Sequence, residues 1–296
     1  MAMRSGRLEA VPYSLSRWTD VPAAKWEWFK SQLLAGQMQA FDPRTAVPEW
    51  WALTPEETHS LVFWTKDPRN LVRDFDLIKP YRTKLHVTIT GWEEVVHGAP
   101  TPEVAAQNAS LISNLIGKAN VTWRFSPVPL LPAHWTSTTP SEKDGWFSMA
   151  GLALYDRFER IAGMLRGVTE TVYLSFLQTN DLMPETRVYS ERARIAAMLT
   201  MIGTRYGLRV LLCNDDTSLG GTAMRAYGIT TGVCVPCEGD PRGGPVPVSE
   251  KCGCAIMVDP FTINETCTMG CTYCYAADKS LADKKRNSTK GLRVVK

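Results

Sequence analysis

The chain has 296 residues, 44% hydrophobic and 21% charged, which is ordinary globular usage and excludes a low-complexity or fibrous protein. Its formal net charge of +3 is too small to name a nucleic acid or a membrane surface as a partner. No apolar run approaches the roughly 18 residues of a bilayer span, and the first ten residues carry charge with no apolar core behind them, so the expectation is a cytoplasmic protein with no membrane partner.

Short β-like runs alternate with helix-like segments along the chain. A strand is expected over 11–16, then a helix capped by Asp20, with Pro22 in its first turn, running to Gly36. Thr54 followed by Pro55, Glu56 and Glu57 reads as a helix start, and 60–65 as the next strand. Strands are expected over 84–90 and 120–125, separated by a helix over 101–116 that opens on Thr101 and Pro102. A long helix over 144–166, broken near Gly151, precedes a strand over 171–177. A helix over 185–206 and a strand over 208–213 complete the series. The order approximates six βα units, so the expected class is α/β with a parallel sheet.

Such a series builds either an open doubly wound sheet or part of a barrel. A polar residue ends almost every strand, as if those ends met at one mouth, which favours a partial (β/α)6 TIM-type barrel. The Pro- and Gly-rich loop over 238–247 marks a boundary, giving a barrel over 1–230 and a Cys-rich segment with a basic tail over 231–296.

All eight cysteines lie in the last third: Cys213, Cys234, Cys237, Cys252, Cys254, Cys267, Cys271 and Cys274. A secreted, disulfide-stapled domain spreads its cysteines through a small fold, so clustering at one end of a large chain points to metal. The sharpest motif is Cys267-Thr-Met-Gly-Cys271-Thr-Tyr-Cys274. Three thiolates on one tight loop hold three irons of a [4Fe–4S] cube and leave the fourth open, and Gly270 lets the backbone wrap closely. Cys213, Cys234, Cys252 and Cys254 suit a second centre, an auxiliary [4Fe–4S] cluster or zinc, with Cys237 spare. A zinc ribbon pairing Cys234 and Cys237 with Cys271 and Cys274 is the bland alternative, but its spacing is too long and it leaves Cys252, Cys254 and Cys267 unused. Cys213 also has a plain reading as a small buried apolar residue.

With Tyr273, Tyr275 and Ala276 around it, the three-cysteine stretch resembles the cluster motif of radical S-adenosylmethionine (SAM) enzymes. That resemblance implies SAM bound to the open iron, Tyr273 near the adenine, and an electron donor such as flavodoxin or ferredoxin. It implies reductive cleavage of SAM to a 5′-deoxyadenosyl radical that takes hydrogen from a substrate. In most of that family the loop follows the first barrel strand; here it comes after the last. The chain as a whole resembles the domain-of-unknown-function family 1848, whose members end in a similar stretch. The matching pieces include 16–20, Phe63-Trp64-Thr65-Lys66-Asp67-Pro68, Thr88-Ile89-Thr90-Gly91, Trp123-Arg124 and Ser175-Phe176-Leu177.

A SAM site needs partners for a carboxylate, an amine and ribose hydroxyls. Arg17, Lys66 and Arg124 at expected strand ends are candidate anion clamps, and Thr88, Thr90 and Ser175 candidate hydroxyl partners. Serine and threonine also simply suit strands and their ends. Trp26 and Trp28 cannot share one helix face, so one of them must meet a loop or ligand. Lys284, Lys285, Arg286, Lys290, Arg293 and Lys296 make a basic tail that either stays solvated or touches phosphates, which keeps DNA or a nucleotide among the possible substrates. The competing function is a non-catalytic iron–sulfur or zinc protein that binds nucleic acid or carries electrons; such a carrier would fill the open iron with a fourth thiolate.

Overall fold

A computed structural model describes residues 12–42, 45, 47–92, 96–128, 153–176, 185–213, 228–235, 254–255, 257–262, 267–271 and 274, with the backbone alone for 185–191. In chain order the elements are β1 (Pro12–Leu15), α1 (Val21–Ala24), α2 (Trp26–Ala35), β2 (Gln37–Phe41), β3 (Pro48–Ala52), β4 (Ser60–Thr65), α3 (Arg69–Arg73), α4 (Phe75–Ile78), β5 (Thr83–Thr88) and α5 (Pro102–Ile116). They continue with β6 (Val121–Val128), a helix α6 over 153–164, β7 (Thr171–Phe176), α7 (Glu185–Arg205), β8 (Arg209–Cys213) and β9 (Thr230–Gly232).

The fold is mixed α/β with a mainly parallel seven-stranded sheet in the order β1-β4-β5-β6-β7-β8-β9. Strand order follows chain order, without the reversal that marks a doubly wound sheet. The described residues divide into two compact units, one drawn from 1–87, 92–101 and 235–296, the other from 88–91 and 102–234.

In the first unit, alternation sorts the strands into two unlike faces. Tyr13, Leu15, Leu61, Phe63, Leu85 and Val87 are all buried. Phe29 and Trp26 of α2 pack on Phe63 with ring centroids 5.8 and 6.2 Å away. The intervening positions carry Ser14, Val62, Trp64, Lys84 and His86, and Trp64 stacks on His86 at 4.1 Å. Val62 and Trp64 meet Val235, Ala255 and Met257 of the C-terminal segment.

That segment also runs along the edge of β1. Val258 bridges Tyr13 in parallel, Ser14 N–H donates to Val258 O at 2.8 Å, and Val258 N–H donates to Pro12 O at 3.2 Å. On its other side Phe41 N–H donates to Asp259 O at 2.9 Å, tying in the antiparallel β2–β3 hairpin. The expected helix from Asp20 to Gly36 is broken at Lys25, whose φ of −133° leaves the helical region. Trp26 then enters the core while Trp28 meets Phe261 of a loop at 5.2 Å, as their spacing requires. Residues 54–57 form a turn rather than a helix, with Thr58 N–H bonded to Thr54 O at 2.9 Å.

The second unit is built around Trp123. It is fully buried, stacks on Phe158 of α6 at 4.7 Å, and donates its indole N–H to Ile89 O at 2.9 Å. Ala105, Ala109 and Ile112 give α5 one buried face. The expected helix over 144–166 is present over 153–164, and its first residues, 144–152, with the expected break near Gly151, lie outside the described residues.

Candidate metal centre and strand-end residues

Ser16 to Asp20 leave the C-terminal end of β1, and Lys66 leaves that of β4. Cys267 comes to these ends. The backbone N–H groups of Asp20 and Met269 face its sulfur, and its thiol lies within the electrostatic reach of the Asp20 carboxylate and the Lys66 ammonium. Burial pushes the Cys267 thiol up, while the two N–H groups and Lys66 favour the thiolate. The loop turns back at Gly270, whose φ of +59° suits glycine, and Cys274 N–H donates to Cys271 O at 3.1 Å. All three thiols are half-buried.

A second strand of chain grips the same loop. Val96 forms an antiparallel bridge with Cys271, and Gly98 N–H donates to Met269 O at 3.0 Å. A Cβ on Gly98 would lie 2.1 Å from Thr268 O, so the two backbones approach more closely than any side chain allows. The stretch 96–98 escapes sequence reasoning, because one histidine and one glycine carry no motif.

Asp259 also escapes it. Its buried carboxylate accepts hydrogen bonds from the Ser16 hydroxyl, from Arg17 N–H at 3.2 Å and from Phe261 N–H at 3.0 Å. The acid therefore pins the C-terminal segment to the end of β1. Burial pushes the Asp259 pKa up, with the Ser16 hydroxyl and the Arg17 charge only partly offsetting it. Between the unfolded value of about 3.9 and the raised folded value, the folded state holds a proton that the unfolded chain has lost. Stability is thus expected to fall as pH rises through that window, and Asp259→Asn, neutral throughout, should remove this part of the slope. Urea midpoints from acid to neutral pH test it, and parallel profiles for the two proteins would count against it.

The other candidates distribute as follows. Arg17 and Lys66 lie in the first unit, at the ends of β1 and β4. Thr88, Thr90, Arg124 and Ser175 lie in the second. There Ile89 N–H donates to Arg124 O at 3.3 Å, half-buried Arg124 pairs in register with Tyr173, and the Ser175 hydroxyl is hydrogen-bonded to that of Ser126. Cys213 ends β8 in register with Gly232, two residues before Cys234. Cys254 is buried in the first unit. Tyr273, Cys237 and Cys252 lie outside the described residues.

Among the described residues no three Cys, His, Asp or Glu side chains converge as a metal site. The donor set nevertheless suits a thiophilic metal: three half-buried thiols on one short loop, with backbone N–H groups directed at one sulfur and close backbone packing behind it. These features define an α/β protein with a cysteine loop at the ends of its parallel strands. Residues 13–276, most of the chain, match the family described as a domain of unknown function (DUF1848), and the chain belongs to that family. No curated protein matches it. No helix among the described residues is long and apolar enough to cross a membrane.

Proposed function

We propose that the protein is a cytoplasmic radical SAM enzyme built on a partial (β/α)6 barrel, with a [4Fe–4S] cluster on Cys267, Cys271 and Cys274. The observation that supports this most is the position of Cys267 beside Asp20 and Lys66, at the ends of β1 and β4. A cysteine loop arriving from the C-terminus can thereby serve the strand ends that a loop leaving the first strand would serve. When bound, the cluster and SAM supply a 5′-deoxyadenosyl radical for hydrogen abstraction. The chain's own share is binding, orientation and shielding. Tyr273 borders the adenine, being between two ligands on one loop. Arg17, Lys66 and Arg124 hold anionic groups, and Thr88, Thr90 and Ser175 hold hydroxyls or the amine. The remaining thiols of Cys213, Cys234, Cys252 and Cys254 are assigned a second centre on their number and type alone. Flavodoxin or ferredoxin is the natural class of electron donor, and a modified nucleobase is among the substrates to be tried.

The test is anaerobic incubation of reconstituted protein with dithionite and SAM. 5′-Deoxyadenosine should form, and SAM should perturb the cluster's EPR signal. Arg124→Ala should weaken SAM binding roughly tenfold or more, the scale of a lost charged hydrogen bond, with little change in the urea midpoint. A fully clustered protein that forms no 5′-deoxyadenosine and whose EPR signal ignores SAM would defeat the reading in favour of an electron carrier.

A further inference from the structure

We infer that Asp20 is a positioning residue for the cysteine loop: its carboxylate ties the turn after β1 to the end of β4, and so delivers its own backbone N–H to the Cys267 sulfur. The inference deepens the cluster reading and rests on it for the identity of the bound group. Asp20 is only 9% exposed. Its Oδ1 accepts Ala23 N–H at 3.1 Å and caps α1, while its Oδ2 accepts Lys66 N–H at 2.8 Å. The Thr65 hydroxyl adds a third hydrogen bond.

Donors from two separate strand ends therefore occupy the carboxylate, and it is held by the fold rather than left open to a ligand. The consequence lies in the backbone of the same residue. With the side chain fastened on both sides, the Asp20 peptide has one orientation, and in it the N–H faces Cys267. Met269 N–H approaches the same sulfur from within the loop. Hydrogen bonds to ligand sulfurs and nearby charge are among the features that set the potential of a thiolate-bound cluster. Asp20 supplies the first of these, through its backbone N–H. A helix cap of no further consequence would stabilise α1 and leave the loop and the potential alone.

Two measurements separate these roles. The first is hydrogen exchange of the metal-free protein, read in peptides covering 267–271. Asp20→Ala should exchange there about tenfold faster than wild type, because the loop loses its anchor on β1. Asp20→Asn, which keeps the shape but sets its amide NH2 against one of the two backbone donors, should restore only part of the protection. Ser113→Ala, which removes a buried hydrogen bond to Val168 O in the second unit, should leave these peptides unchanged. Wild-type exchange over 267–271 in Asp20→Ala overturns the inference. The second is the midpoint potential of reconstituted Asp20→Asn, followed by EPR. It should differ from that of wild type, since the N–H that faces a ligand sulfur is no longer held in place; an unmoved potential also overturns the inference. If wild type takes up no iron at all, the cluster reading fails and the exchange result alone decides the role of Asp20.

Discussion

Replacing Cys267, Cys271 and Cys274 together with Ala should abolish one complete [4Fe–4S] cluster, a loss of about four irons per chain after anaerobic reconstitution. The three thiols share one short loop, so removing all of them leaves no partial site for a smaller cluster. The fold should survive. The apolar core of the first unit rests on Leu15, Leu61, Phe63, Leu85 and Val87, and the loop's backbone contacts with Gly98 need no cysteine side chain. Circular dichroism should therefore be unchanged while the iron falls. The metal that remains reports on the other thiols. Iron retained in the variant identifies an auxiliary cluster on Cys213, Cys234, Cys252 and Cys254, and zinc identifies a structural site. An iron content equal to wild type would remove the cysteine loop from the chemistry altogether, and complete loss of all metal in a folded variant would eliminate the second centre.

How far the sequence could be read depended on whether the information was local. Residues 60–65 coincide with β4, and β1, β5, β6, β7 and β8 fall within a few residues of their expected places. Each is an apolar run bounded by polar or turn residues, and such runs declare themselves. α5 was equally legible, because Thr101, Pro102 and Glu103 write a helix start before an apolar stripe. The β2–β3 hairpin was not. Gln37-Met38-Gln39-Ala40-Phe41 has no β-branched residue, and the hairpin is closed by its own Trp51 indole N–H to Ala40 O bond and tied down from outside by Phe41 N–H to Asp259 O. Thr54 misled for the opposite reason: its cap signal is sound, but Glu56, Glu57, Thr58 and His59 offer no apolar face to bury, so one turn forms and stops.

The candidate site divides along the same line. The spacing of Cys267, Cys271 and Cys274 is visible in eight residues of sequence. What positions them is not. Asp20 reads only as a helix cap, yet its N–H meets a thiol near the other end of the chain. The Ser16–Asp259 hydrogen bond joins residues 243 positions apart, and neither carries a motif. Contacts of that range depend on how the last segment returns to β1, which periodicity does not encode.

Gly98→Ala tests the grip on the cysteine loop with a single methyl group. The added Cβ would sit 2.1 Å from Thr268 O and 2.9 Å from Met269 Cα, both backbone atoms that cannot rotate aside. Gly98 does not need a left-handed conformation, so the clash is the whole cost. Overpacking of this kind costs roughly 1–3 kcal/mol, and here the cheapest relief is for the loop to leave rather than for the unit to unfold. The loop would surrender the Gly98 N–H to Met269 O bond and the Val96–Cys271 bridge together. The expected result is a near-native urea midpoint, a tenfold or greater rise in hydrogen exchange over 267–271, and iron uptake reduced by about one cluster. Gly163→Ala is the matched control: it lies in α6, its Cβ would meet nothing closer than Tyr206 at 3.5 Å, and it should be neutral or slightly stabilising. If Gly98→Ala keeps wild-type iron and wild-type exchange, the stretch 96–98 is not what holds the cysteines at the strand ends, and the loop must be positioned by Asp20 and the β1 edge alone.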